Sequence, residues 1–271
     1  MHRVPRIAAL SVSAYVGYLV AKHSGLRRVA FNSMRLNRRE TERLMTLREL
    51  RFLAYVFAHR DESKSQILQD LWVGFELGEH RDGFFVEFGA TNGVSNSNTY
   101  LLETKYGWSG ILAEPNPVWH AKLHASRRSV IEHRCVSSTS GQTVTFLATD
   151  DADPELSGIA TFADGDHFSE VRTAGKRLQI ETISLKELLS QHAAPRTIDY
   201  LSIDTEGSEY DILSHFDFST RSRLISVEQN TKTEKKIEAL LASHGYVRVF
   251  PEFSQWDGWY VSREELERGR S

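Results

Sequence analysis

Asp204, Glu206 and Glu209 stand close together at the end of an apolar run, in IDYLSIDTEGSEYDIL (198–213). A second run, RLISVEQN (223–230), places Glu228 at a comparable end. Carboxylates that project from one rim of a sheet repel one another unless they are protonated, hydrogen-bonded or sharing a cation. Such a set can take the proton from a hydroxyl as it attacks, at a gain of roughly 10²–10⁴. Alternatively it can hold Mg²⁺ through oxygen ligands, which lowers the hydroxyl's pKa and orients it. Asp204 and Glu206 are therefore the expected catalytic or acceptor-orienting pair, with Glu228 behind them. The same three are the expected ligands if a metal joins the site. Glu209 falls in the first turn of the next helix, where the macrodipole favours an acid, so capping explains it equally well.

Two further acids stand beside a different feature. In GFFVEFGATNGVSNSNT (83–99) a β-prone apolar run breaks at Gly89, and Gly89 and Gly93 bracket a tight turn. A turn of this kind lets a ligand approach the main chain. The spacing is G-x-x-x-G and not the dinucleotide G-x-G-x-x-G, so a pyrophosphate cradle is poorly specified. Glu87, two residues before the first glycine, would repel phosphate and suits a cationic or hydrogen-bond-donating ligand. Glu114, in GILAEPNP, ends the next apolar run about 20 residues on, the interval at which nucleotide-binding sheets place a carboxylate for the ribose hydroxyls. Pro115 and Pro117 cannot continue the strand ladder.

The elements that must position these residues are legible as texture. Short apolar runs alternate with helix-like segments from residue 83 onward: FFVEFG, GILAEP, SVIEHRCV, IDYLSID, RLISVEQN, YVRVF and GWYVS. That alternation predicts an α/β fold with a mainly parallel sheet, buried on both faces. The last two runs predict an antiparallel hairpin at the sheet edge. Between 143 and 183, TVTFLAT and LQIETISL predict extra strands around an irregular polar insertion, of the kind that often serves as a lid or binding loop. His167 in that insertion is a second candidate base, outweighed by its reading as a solvated loop histidine. Upstream, SKSQILQDLWVGFEL (63–77) predicts a helix capped by Ser63, and Leu44, Leu47, Leu50, Leu53 and Phe57 recur at helical spacing within 26–62.

FFVEFGATNGVSNSNTYLLE, GWSGILAEPNP and IDYLSIDTEGSEYDIL, in this order and at these separations, resemble the FkbM-type methyltransferases over roughly residues 63–262. The resemblance implies a Rossmann-like, doubly wound fold and S-adenosylmethionine as cofactor. It implies contacts to the methionine part from Glu87, Gly89, Thr91, Asn92 and Gly93, with Glu114 on the ribose. It also implies O-methylation of a hydroxyl on a sugar, glycolipid or secondary metabolite; spacing alone does not separate O- from N-methylation. Thr91 departs from the family, which usually carries Asn there, and loses the amide. Ser157 and Gly158 resemble a family block expected to line the pocket. The acid beside the turn agrees with a sulfonium- and ammonium-bearing cofactor and disagrees with a dinucleotide.

Composition narrows the alternatives. A formal charge of −3 over 271 residues gives no sign of a nucleic-acid-binding surface, although the first 60 residues are locally basic. One cysteine, Cys135, excludes an internal disulfide and fits a reducing compartment such as the cytoplasm. No Cys/His cluster suggests zinc, and no G-x-S-x-G elbow suggests acyl chemistry. Residues 7–21, IAALSVSAYVGYLVA, are uncharged but shorter than the roughly 18–20 residues that span a bilayer. They are read as a helix packing on the protein or peripherally on a membrane, with a signal or short anchor as the alternative. Trp256, Trp259 and Tyr260 suit sheet-edge packing better than stacking on a sugar ring. The competing functions are a nicotinamide-dependent oxidoreductase on the same sheet, and a membrane-associated scaffold without catalysis.

Overall fold

The computed structural model describes residues 46–149, 154–162 and 169–268. Two compact units divide the chain, residues 1–54 and 55–271. In the first, Thr46 and Glu49 cap a helix reciprocally. The Glu49 amide donates to Thr46 Oγ1 at 3.2 Å and the Thr46 amide donates to Glu49 Oε2 at 2.6 Å. The helix α1 (Leu47–His59) starts there. The apolar run 7–21, the basic stretch 26–45 and His167 lie outside the described residues. No helix among the described residues is long and apolar enough to cross a membrane.

In the second unit, α2 (Gln69–Glu76) starts six residues later than the expected Ser63 cap. Leu68 adopts a left-handed conformation, φ 69°, and interrupts any helix through it. Buried Asp70 then accepts from Ser63 Oγ at 2.5 Å and from the Lys64 amide at 3.0 Å. The preceding segment is thus folded back on the helix instead of entering it.

Thereafter come β1 (Phe84–Phe88), α3 (Tyr100–Tyr106), β2 (Ser109–Ala113), α4 (Pro117–Ser126) and β3 (Val130–Glu132). A second group follows: β4 (Cys135–Ser137), β5 (Thr143–Ala148), β6 (Gly158–Ile159), α5 (Ser169–Ala174) and β7 (Lys176–Ser184). The chain ends with α6 (Leu185–Gln191), β8 (Thr197–Ile203), α7 (Glu209–Ser214), β9 (Arg221–Glu228), α8 (Glu234–Ser243), β10 (Tyr246–Val249), β11 (Asp257–Ser262) and α9 (Arg263–Arg268).

The main sheet has the order β10-β11-β9-β8-β1-β2-β3. Strands β1, β2, β3, β8 and β9 pair in parallel. The C-terminal hairpin forms, but β11 inserts antiparallel between β9 and β10, so of its two strands β10 alone lies at the sheet edge. Burial on both faces accounts for the unbroken apolar runs. Leu201 and Ile203 of β8 pack with Leu185, Ile212 and Ile237 from α6, α7 and α8. Tyr200 turns the other way and meets Trp72 of α2 edge-on, at 6.2 Å between ring centroids. Trp72 in turn stacks on Trp259 at 5.1 Å, which makes Trp259 a core residue. This is the expected doubly wound, Rossmann-like architecture.

A smaller sheet, β4-β7-β5-β6, is built from the insertion and its flank. SVIEHRCV, which reads as one strand, is divided between the two sheets. The Glu132 carboxylate accepts from the Arg134 amide at 3.0 Å and from Arg134 Nη2 at 2.6 Å, fixing the turn between β3 and β4. Strand order reverses between β1 and β8, and in open α/β sheets ligands bind at the carboxyl ends beside that reversal.

Candidate active site

At the carboxyl end of β1 the Gly89 and Ala90 amides both donate to Ala113 O, at 3.0 and 3.3 Å. Gly89 has φ +72°, and a Cβ there would lie 2.5 Å from the Asp204 carbonyl oxygen. The glycine is thus required for the end of β1 to approach the end of β8, as well as for its place in the cavity wall. Asn92 Oδ1 accepts from the Val94 and Ser95 amides, both at 2.8 Å, and closes the turn. Thr91, at φ +46°, is a β-branched residue in left-handed backbone.

Glu87 and Gly93 stand behind the wall and not in it. Glu87 is 2% exposed and accepts from the Asn98 amide at 2.6 Å, from Ser97 Oγ at 3.0 Å and from Thr99 Oγ1. Arg127 Nη1 lies 3.6 Å from it. The expected direct contact of Glu87 with a cationic ligand is therefore corrected: its carboxylate is engaged by protein groups and anchors the 97–99 segment. Gly93 makes room for Arg127, whose Cγ would lie 2.6 Å from a Cβ at that position.

Glu114 is where the sequence places it, beyond β2. Its two oxygens accept from the Thr91 and Asn116 amides, each at 2.8 Å, which fixes the carboxyl plane across the turn. Burial pushes this carboxyl up to about 7 against the opposing pull of those two amides. His120 hydrogen-bonds the Glu114 carbonyl at 2.9 Å.

Asp204, Glu206 and Glu228 come together, each with an oxygen within 4.8 Å of the others. Burial, then Glu206, Asp257 and Glu209, hold the Asp204 carboxyl well above the usual range, while a hydrogen bond with Glu228 opposes the shift. Glu228 is raised in the same way, by burial first and by Asp204 next. Asp204 and Glu228 thus form a hydrogen-bonded pair in which each carboxyl is biased towards its protonated form. Glu206 differs: Arg172 Nη2 donates to it at 2.9 Å. Glu209 caps the local turn, accepting from the Thr205 and Gly207 amides at 2.9 Å each. An oxygen-only donor set of this kind suits a hard ion such as Mg²⁺. Arg172 already offsets part of its charge.

These groups border one cavity of about 740 Å³, towards the upper end of the roughly 300–1,000 Å³ of small-molecule sites. Gly89, Thr91, Asn92, Glu114, Asp204, Glu206 and Glu228 all line it. Ser157 lines it too, accepting from Asn116 Nδ2 at 3.0 Å. Gly158 instead packs behind Glu206, with a Cβ there 3.2 Å from Glu206 Cβ. Trp256 stands at the rim, while Trp259 and Tyr260 are buried in the core. Cys135 is in the wall, and burial pushes its thiol up to about 12, which keeps it unreactive at neutral pH. Sequence reasoning missed Arg172, Asn98 and the amides Gln229 and Asn230. Asn98 sits inside the quoted turn block, and Gln229 and Asn230 directly follow Glu228, so adjacency could have found these three; nothing local marks Arg172.

The profile of the FkbM methyltransferase domain matches residues 87–248, and the chain belongs to that family. Use of S-adenosylmethionine is implied by that membership. No curated protein matches the chain. Among solved structures, a Pyrococcus horikoshii protein described as an RNA methyltransferase is similar at 12% identity and a TM-score of 0.34, covering 67% of each chain. Precorrin-6y C5,15-methyltransferase from Geobacter metallireducens is similar at 10% identity and a TM-score of 0.35, covering 70% of this chain and 85% of that one. A Galdieria sulphuraria protein described as a sarcosine dimethylglycine methyltransferase is similar at 12% and 0.32, covering 67% and 62%. Scores of this size add nothing to what the family match and the strand order establish.

Proposed function

We propose that the chain transfers a methyl group to a hydroxyl oxygen of a sugar, glycolipid or other small metabolite. The observation that carries this reading is the placement of Glu114 and the Asp204–Glu228 pair in one cavity, across the turn at Gly89. S-adenosylmethionine supplies an electrophilic methyl group on a sulfonium. Glu114, held in plane by two amides, accepts the ribose hydroxyls. Thr91 and Asn92 shape the main chain beside it. The acid pair would meet the acceptor: as its oxygen forms a C–O bond to the methyl carbon, the sulfonium S–C bond would break to leave a neutral thioether, and the hydroxyl proton would pass to an ionised carboxylate of the pair. Arg172 neutralises Glu206, which leaves Asp204 as the base and Glu206 as an orienting group. Asp204, Glu206 and Glu228 are also the oxygens that would hold Mg²⁺, whose contribution would be to orient the acceptor hydroxyl. A small-molecule acceptor, and not a nucleic acid, fits a cavity bounded by Gln229, Asn230 and Trp256.

The test is transfer of a labelled methyl group to a panel of hydroxylated sugars and metabolites, with and without a chelator. Asp204→Asn should lower kcat by roughly 10²–10⁴ with little change in cofactor affinity. Transfer to amines and to no hydroxyl would overturn the reading.

A further inference from the structure

Among the described residues, two side chains of the cavity wall carry a buried polar atom with no hydrogen-bond partner: Asn98 Oδ1 and Trp119 Nε1. Each is costly to leave unpaired, because a buried donor or acceptor forfeits its hydration. They differ in kind. Asn98 offers an acceptor and Trp119 offers a donor only.

They also stand over different strands, on either side of Glu114. Asn98 donates through its backbone amide to Glu87 of β1 and through Nδ2 to Ser202 Oγ of β8, at 2.6 and 2.9 Å. Ser202 is followed by a chain of buried hydroxyls, Ser226 Oγ at 3.4 Å and then Tyr200 OH at 2.6 Å. That arrangement commits Nδ2 to the protein and leaves Oδ1 as the group without a partner. Trp119 belongs to the first turn of α4, beyond β2 and past Glu114. Across the sheet the order is therefore Asn98 over β8 and β1, Glu114 beside the turn, and Trp119 beyond β2.

We propose that Asn98 and Trp119 are specificity-determining residues that read the two ends of the nucleoside cofactor. Asn98 Oδ1 accepts from the ammonium of the amino-acid end, and the Trp119 indole N–H donates to a ring nitrogen of the base. The inference rests on the S-adenosylmethionine reading, and adds which residue recognises which end. An acceptor at one pole and a donor at the other fix the direction in which the ligand lies, with the ribose at Glu114 between them. A ligand presenting two donors or two acceptors would leave one of the pair unsatisfied.

The experiment is calorimetric titration with two probes, S-adenosylhomocysteine and 5′-methylthioadenosine, which lacks the amino-acid end. Wild type binding either probe establishes the parent reading; binding neither would sink that reading first, and separately. Asn98→Ala should weaken S-adenosylhomocysteine about tenfold or more and leave 5′-methylthioadenosine within about twofold. Asn98→Asp, which can protonate in this buried place and keep one acceptor, should recover most of the loss. Trp119→Phe, which keeps the ring and removes the N–H, should weaken both probes to the same extent. Equal loss of both probes in Asn98→Ala, no loss in it, or selective loss of S-adenosylhomocysteine in Trp119→Phe would each overturn the assignment. A circular-dichroism melt of each variant shows whether it is folded, and Asn98→Leu, which removes the acceptor but keeps the side chain's size, carries the test with the same expected outcomes if Asn98→Ala is not.

Discussion

Arg172 Nη2 lies 2.9 Å from a carboxylate oxygen of Glu206, with the arginine side chain 0% exposed and the glutamate 14%. Arg172 belongs to α5 in the insertion, and its Nε also donates to Leu156 O at 3.0 Å. One residue therefore ties the insertion to the floor of the site and offsets one of its negative charges.

Breaking such a pair from one side strands a buried charge. Arg172→Met should destabilise the protein by roughly 3–5 kcal/mol. The double variant Arg172→Met/Glu206→Gln should recover much of that loss, because no unpaired charge remains. Urea midpoints across the four proteins of the cycle measure the coupling, and strictly additive losses would show that the pair does not act as a unit.

Glu114 predicts a pH dependence with a definite sign. Its carboxyl sits at about 7 in the folded protein against an ordinary 4.5, so the folded state binds more protons than the unfolded state between those values. The stabilisation is complete below the unfolded value and is lost as pH rises to and through about 7, a loss on the order of 3 kcal/mol. Asp257, which burial likewise pushes up to about 7, contributes with the same sign. Unfolding free energies of ligand-free protein should therefore fall between about pH 5 and about pH 8, and Glu114→Gln should flatten the slope without abolishing it. An unchanged slope in that variant would contradict the assignment of the raised carboxyl to Glu114.

Thr91 holds left-handed backbone, φ +46°, in the turn at the carboxyl end of β1. Left-handed backbone costs an ordinary L-residue roughly 1–2 kcal/mol, and Asn tolerates it better than a β-branched residue. Thr91→Asn, which restores the residue the family usually has, should stabilise the protein by about 1 kcal/mol. Thermal melting measures it, and a fall in Tm would show that the threonine hydroxyl matters more than the strain.

The parts of this site that were legible in the sequence are those fixed by local pattern. FFVEFG is continuous and apolar because β1 is buried on both faces, and Gly89 marks its abrupt end. Glu114 and Glu228 follow apolar runs by position alone, and both lie at carboxyl ends of parallel strands, β2 and β9, with β1 and β8 between them. What escaped reading depends on contacts between distant segments. Glu87 looks like a ligand contact from its place beside the turn, yet it points inward because Ser97, Thr99 and Arg127 converge on it. The division of SVIEHRCV into two strands depends on Glu132 gripping Arg134, which no periodicity signals. The late start of α2 turns on Leu68 taking a conformation that its own side chain disfavours. Arg172 is one arginine in an irregular polar stretch, distinguished only once the chain has folded.

The measurement closest to the central claim is titration of the purified protein with S-adenosylmethionine and, separately, NADH, in wild type and Glu114→Ala. Micromolar binding of S-adenosylmethionine alone is expected, weakened at least tenfold in the variant, since the lost hydrogen bonds to a charged carboxylate are worth about 1.5–3 kcal/mol each. Folded wild-type protein that fails to bind S-adenosylmethionine, or that binds NADH in its place, would contradict it.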